Sequence, residues 1–173
     1  GLYPWHQEKD LVLGSEAAGE IEAVGSEVKQ FQVGDRVAYA QPNNAYATHR
    51  IINENLIVSI PENVSFDQAA AAILKGLTVK YLVTDSFNLQ AHHKVLFHAA
   101  AGGVGLIAGQ WISEIGCQLI GTAGSDEKCS KARVYGYNEM INYTNQNFLQ
   151  EVQGLTQREG VDVVYDSVGK DTM

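Results

Sequence analysis

Residues 95–105 read Val-Leu-Phe-His-Ala-Ala-Ala-Gly-Gly-Val-Gly and lead into an apolar-periodic stretch from Leu106 to Ile115. No other part of the chain constrains the fold as much. A β-type run that passes through glycines straight into a helix leaves the helix's first unpaired N–H groups and its positive dipole end at the strand's tip. Phosphate is the group such a place suits, and a dinucleotide pyrophosphate is the ligand it points to. Against the pattern G-x-G-x-x-G, Ala100, Gly102 and Gly105 give A-x-G-x-x-G, with alanine at the tight turn. Context strengthens this match: Lys94 to Ala99 reads as a strand before the loop, and a second apolar strand, Gln118 to Ala123, follows at βαβ spacing. The alternative is that the glycines serve only close helix–strand packing.

The alternation continues. The expected order is strand 94–99, helix 103–115, strand 118–123, helix 126–136, strand 139–142, helix 145–154 and strand 161–166. Strands that alternate with helices imply a parallel, right-handed α/β sheet. Four strands make part of the six-stranded doubly wound fold, whose order is 3-2-1-4-5-6. Upstream, from Gly14 to Ile60, short β-type segments at Glu20 to Val24, Arg36 to Ala40 and Ala45 to Ile51 are broken by Gly25-Ser26 and Gly34-Asp35, which predicts a small barrel or sandwich. Ser65 is a candidate N-cap for a helix from Phe66 to Leu74, with helix resuming over 77–87 beyond Gly76.

Composition excludes several classes. A chain of 173 residues with 45% hydrophobic content can bury a core, and its formal charge of −8 disfavours a nucleic-acid partner. No stretch approaches the roughly 20 apolar residues that cross a bilayer, so a cytoplasmic protein without a membrane partner is expected. Cys117 and Cys129 lack a metal-ribbon spacing and are expected to be ordinary thiols. The two ends read as the interior of a longer protein.

The tip of the second strand indicates which dinucleotide fits. An NAD site places an acid there to accept from the ribose 2′-OH. Here the strand closes Gly121-Thr122-Ala123-Gly124-Ser125, with Ala123 at the tip. Ser125 and Lys128 stand where a hydroxyl and a point charge could hold a 2′-phosphate, which favours NADPH. The alternative keeps Ser125 as an N-cap and Lys128 as a solvated charge, and Asp126 counts against the phosphate unless it only complements the helix dipole.

Gly14-Ser15-Glu16-Ala17-Ala18-Gly19, Val33-Gly34-Asp35-Arg36-Val37, Leu74-Lys75-Gly76-Leu77-Thr78, His98 to Gly105 and Val164-Tyr165-Asp166-Ser167-Val168-Gly169 occur in this order. Together they resemble the quinone oxidoreductases of the medium-chain dehydrogenase/reductase superfamily, zeta-crystallin and its bacterial relatives. The resemblance implies an α/β fold class: a partial GroES-like β domain, residues 1–74, followed by a partial Rossmann domain with a doubly wound parallel sheet, residues 75–173. It also implies that Lys75 and Thr78 meet NADPH, that Ala101, Gly102, Gly103 and Val104 cradle the pyrophosphate, and that Gly124, Ser125 and Lys128 contact the adenosine end. Tyr143 and Ser167 would line the same crevice, though Tyr143 also suits a plain amphipathic position and Lys75 a solvated one.

Zinc-dependent members of the superfamily carry Gly-His-Glu where this chain has Gly14-Ser15-Glu16, so Ser15 stands in place of a ligand histidine. Serine does not substitute for imidazole on zinc. His98, on an apolar strand, reads as a core histidine. The resemblance therefore implies metal-free hydride transfer from NADPH to a quinone or another small electron-poor acceptor, by a homodimer as the full-length protein. Tyr3 matches a tyrosine near the substrate mouth and would orient the nicotinamide or donate to the acceptor's oxygen, with packing beside Pro4 as its alternative. An alkenal or enoyl reductase and a non-catalytic NADPH-binding crystallin are the competing functions. The 173 residues alone are expected not to turn over.

Overall fold

The computed structural model describes residues 11–170 and 172. The chain divides into two compact units, Gly1–Leu74 and Lys75–Met173.

In the first unit, β1 (Glu16–Glu20), β2 (Arg36–Ala40) and β3 (Val58–Ser59) form an antiparallel sheet in that order. Gly34, at φ +92, turns the chain into β2, while the Asp35 carboxylate accepts from the Gln32 N–H. Arg36 then donates to the carbonyls of Pro61 and Val64, and its guanidinium lies 4.6 Å from the Phe66 ring centroid. That fixes the entry to helix α1 (Phe66–Lys80). Ser65 caps this helix as expected: its hydroxyl accepts from Gln68 N–H and the Gln68 side chain accepts from Ser65 N–H, a reciprocal box. Ala38, Ile60 and Ala69 form the small core.

Two expected strands differ. The segment expected at 20–24 pairs four residues earlier, because β2 begins only at Arg36 and Gly34, just before it, turns the chain away from the ladder. Ala45 to Ile51 is not a strand. Asn43 and Asn44 are left-handed, at φ 60 and 63, and the consecutive amides of Asn44, Ala45 and Tyr46 all donate to residues 12–14. A strand alternates its amides between two sides, so this segment cannot extend a ladder.

In the second unit, β4 (Lys94–Phe97), β5 (Gln118–Ala123), β6 (Glu139–Asn142) and β7 (Val163–Tyr165) form a parallel sheet in the order β6-β5-β4-β7. Helices α2 (Gly103–Ile115), α3 (Asp126–Val134) and α4 (Phe148–Leu155) connect them. Strand residues alternate between two cores. Val95, Phe97, Leu119 and Met140 join one that includes Val79, Ala108, Ile112 and Ala132, whereas Leu96, Ile120 and Ile141 join Val152 in the other. Both faces are thus covered, as parallel sheets require.

The boundaries here shift for local reasons. α1 continues through Gly76, where a side chain would meet only open space, and gives way to a π-turn at Tyr81–Ser86 rather than to a second α-helix. α3 stops at Val134 because Gly136 takes φ +100. α4 begins at Phe148, where the Asn147 side chain accepts from Leu149 and Gln150. β4 ends at Phe97 rather than Ala99, since Ala99 is left-handed at φ 53. No described helix is long and apolar enough to cross a membrane.

Candidate functional site

Parallel strands end on one edge, and this one carries most of the residues singled out in the sequence. The left-handed Ala99 turns the chain out of the sheet at a cost of about 1–2 kcal/mol for a residue with a Cβ. Three backbone bonds hold it: His98 N–H to the Tyr165 carbonyl, Ala100 N–H to Thr122, and Gly102 N–H to Ala99. Ala100, which stands at the first glycine position of the motif, is fully buried. Gly102 is the N-cap of α2, in extended conformation and with no side chain to cap the helix, so among the described residues the first-turn amides have no side-chain acceptor.

The glycines have separate structural roles. A Cβ on Gly103 would lie 3.0 Å from Cδ and 3.1 Å from Cε of Lys75, so the lysine stem lies across the start of α2. Gly105 lets the helix approach the loop: a Cβ there would run into the backbone of Ala99 and Ala100. Beneath it, the buried Tyr137 hydroxyl donates to the Gly105 carbonyl at 2.8 Å. Burial pushes the Tyr137 phenol well above its ordinary value, so it remains a donor.

At the ends of β5 and β6, Tyr143 lies over Gly124, where a Cβ would come 2.8 Å from its hydroxyl. Tyr143 as a residue is 52% exposed. The Ser125 hydroxyl caps α3 by accepting from Lys128 N–H at 3.3 Å, which leaves its own O–H free to donate. Lys128 is exposed in the first turn. Sequence reasoning missed the groups around them. Thr144 Oγ1 donates to the Gly124 carbonyl at 2.9 Å, and Asn142 Nδ2 donates to Asp126 Oδ1 at 2.7 Å. An Asn closing an apolar strand was the available signal.

At the end of β7, the Asp166 carboxylate accepts from the amides of Val168 and Gly169 and from the Thr172 hydroxyl. The Thr172 bond, then the Val168 amide, hold it below the usual carboxylate range. Ser167 is exposed inside this turn. His98 is a core histidine, as expected, with Nδ1 2.9 Å from Thr122 Oγ1. Burial lowers its pKa, and the Asp166 charge works against that.

The lateral order along the edge is therefore Tyr143, Gly124 with Ser125, Ala101 to Val104, then Ser167. Three strand spacings of about 4.8 Å make this roughly 14 Å, an extent that suits a dinucleotide laid across the strand ends. Lys75 joins the edge through Gly103. Thr78 lies one turn further along α1, half-buried. Tyr3 lies outside the described residues.

Residues 1–90 match the family described as alcohol dehydrogenase GroES-like domain, and residues 103–173 match zinc-binding dehydrogenase. The quinone oxidoreductase of Pseudomonas aeruginosa is 53% identical over 173 residues, covering 99% of this chain and 53% of its own length. The structure of the Escherichia coli quinone oxidoreductase complexed with NADPH superposes with a TM-score of 0.93 at 45% identity, covering 99% of this chain and 53% of that one. The 2-haloacrylate reductase of a Burkholderia species is 40% identical, over 96% of this chain and 51% of its own. This chain thus spans about half the length of these relatives.

The two groups implied by these likenesses fit differently. The uncapped start of α2, the Lys75 stem over Gly103 and the hydroxyls of Ser125 and Tyr143 form a donor set for phosphates. Zinc finds no such set: Ser15 offers a hydroxyl, and among the described residues no three His, Cys, Asp or Glu side chains converge.

Proposed function

Since the chain belongs to the alcohol dehydrogenase GroES-like family, we propose that it forms part of a zinc-independent NADPH:quinone oxidoreductase. The observation that carries this reading is the phosphate cradle at the start of α2, with Ala123 rather than an acid at the tip of the next strand. When bound, NADPH supplies the hydride. The chain's own residues bind and orient. The amides of Gly103 and Val104 receive the pyrophosphate, and Lys75 adds a point charge beside them. Ser125 O–H and Lys128 hold the 2′-phosphate, Tyr143 closes over the adenosine end, and Thr78 and Ser167 line the nicotinamide side.

A quinone is already electron-poor, so little acid–base chemistry is demanded of the protein. Ser15, in place of a ligand histidine, supports a reaction without metal polarisation. Tyr3 is proposed to donate to the acceptor's oxygen. Likeness to a 2-haloacrylate reductase favours a second reading, hydride delivery to an activated C=C.

The test is turnover by the full-length protein with NADPH against a panel of quinones and a panel of enals. Quinone reduction is expected. Enal turnover alone supports the second reading, and tight NADPH binding with no turnover of either panel refutes both.

A further inference from the structure

We infer that Asn142 is a positioning residue for cofactor choice, holding the Asp126 carboxylate so that it does not oppose the 2′-phosphate received by Ser125 and Lys128. This rests on the reading that this end of the sheet takes the adenosine of NADPH.

Asn142 ends β6 and is only 7% exposed. Its Nδ2 donates to Asp126 Oδ1 at 2.7 Å, and its Oδ1 accepts from Thr144 N–H at 3.1 Å. The two bonds determine the amide's orientation: turned over, it would aim its oxygen at a carboxylate and its NH2 at an N–H. Gln146 anchors the residue by accepting from Asn142 N–H at 3.0 Å. The Thr144 hydroxyl bonds the Gly124 carbonyl, and Tyr143 N–H bonds Ala123 at 3.1 Å. Residues 123–126 and 142–144 are therefore tied into one unit.

Asp126 is the first residue of α3, directly after Ser125 and two before Lys128. The helix dipole favours a carboxylate there, so the fold itself does not expel the charge. Left free, that carboxylate would repel a phosphate dianion and could accept from ribose hydroxyls, as the acid of an NAD site does. Bonded to Asn142, one oxygen is committed to the end of β6. A neutral amide thus decides between two ribose forms without touching either.

The experiment compares Kd for 2′,5′-ADP and 5′-ADP on the full-length protein by calorimetry. Wild type is expected to prefer 2′,5′-ADP. N142A should lower that preference about tenfold, the scale of one charge-assisted hydrogen bond, and N142A/D126N should restore it. D126A removes an exposed side chain and leaves Asn142 Nδ2 without its acceptor, a cost that a folded domain tolerates, so it serves even if N142A does not fold, and it should leave the preference within about twofold. Equal weakening of both ligands by N142A, persistence of its loss in the D126N background, or a tenfold gain in D126A would each overturn the inference. A wild type without preference for 2′,5′-ADP removes the NADPH reading itself, and the inference with it.

Discussion

Substituting Gly105 by alanine separates the two roles a glycine can have at the third position of the phosphate-loop motif. Gly105 is buried in the first turn of α2 with helical backbone, so alanine meets no conformational penalty and gains up to about 1 kcal/mol of helix propensity. Its Cβ, however, would strike the carbonyl oxygens of Ala99 and Ala100 and the Ala100 carbonyl carbon, all backbone atoms. Overpacking of this kind costs about 1–3 kcal/mol. The net loss is about 0–3 kcal/mol, and because full-length relatives are about twice as long as this chain, the Tm fall is no more than about 2–4 °C per kcal/mol. Binding should suffer more, because relief requires moving the loop away from α2. Each charge-assisted bond lost to phosphate is worth about 1.5–3 kcal/mol, or about 10–150-fold in Kd. Thermal unfolding and NADPH titration of the full-length protein read the two effects. G103A is the control, since its Cβ meets only the flexible Lys75 stem, and it should keep its Tm. A G105A protein with wild-type Tm and NADPH affinity would refute the reasoning.

Lys128→Ala should weaken NADPH about tenfold and leave NADH unchanged, with the difference shrinking at high salt; titrations of both cofactors check this. Ala99→Gly relieves a left-handed alanine but adds unfolded-state entropy, so its stability in denaturant melts should stay within about 1 kcal/mol of wild type. For His98, burial depresses the folded pKa below 6.5, partly offset by Asp166. The unfolded chain therefore takes up a proton that the folded one refuses. Stability is full above pH 6.5 and falls as pH drops towards the folded value, and H98Q should flatten that slope in Tm scans from about pH 5 to 8.

Much of the second unit was legible because its signals are local. Gly103–Ile115, Gln118–Ala123 and Glu139–Asn142 occupy the residues their patterns predicted. Apolar periodicity and glycine stops report directly on helix and strand. The first unit was less legible. Ala45 to Ile51 has the composition of a strand, but strand formation depends on a partner, and two left-handed asparagines point its amides elsewhere. Ser125 illustrates the same limit at the site: the sequence offered cap or phosphate ligand, and the structure shows the cap together with a donor still available.

The order of elements, the glycine loop, the missing acid at Ala123 and the serine at Ser15 are properties of the sequence, because each depends on residue type at a fixed local spacing. Tertiary structure alone decided that Ala99 rather than a glycine takes the left-handed turn, that Lys75 lies across Gly103 from 28 residues away, and that Asn142 holds Asp126. These are relations between strand ends brought side by side by parallel pairing, and nothing in local spacing encodes which side chains a sheet edge will make neighbours.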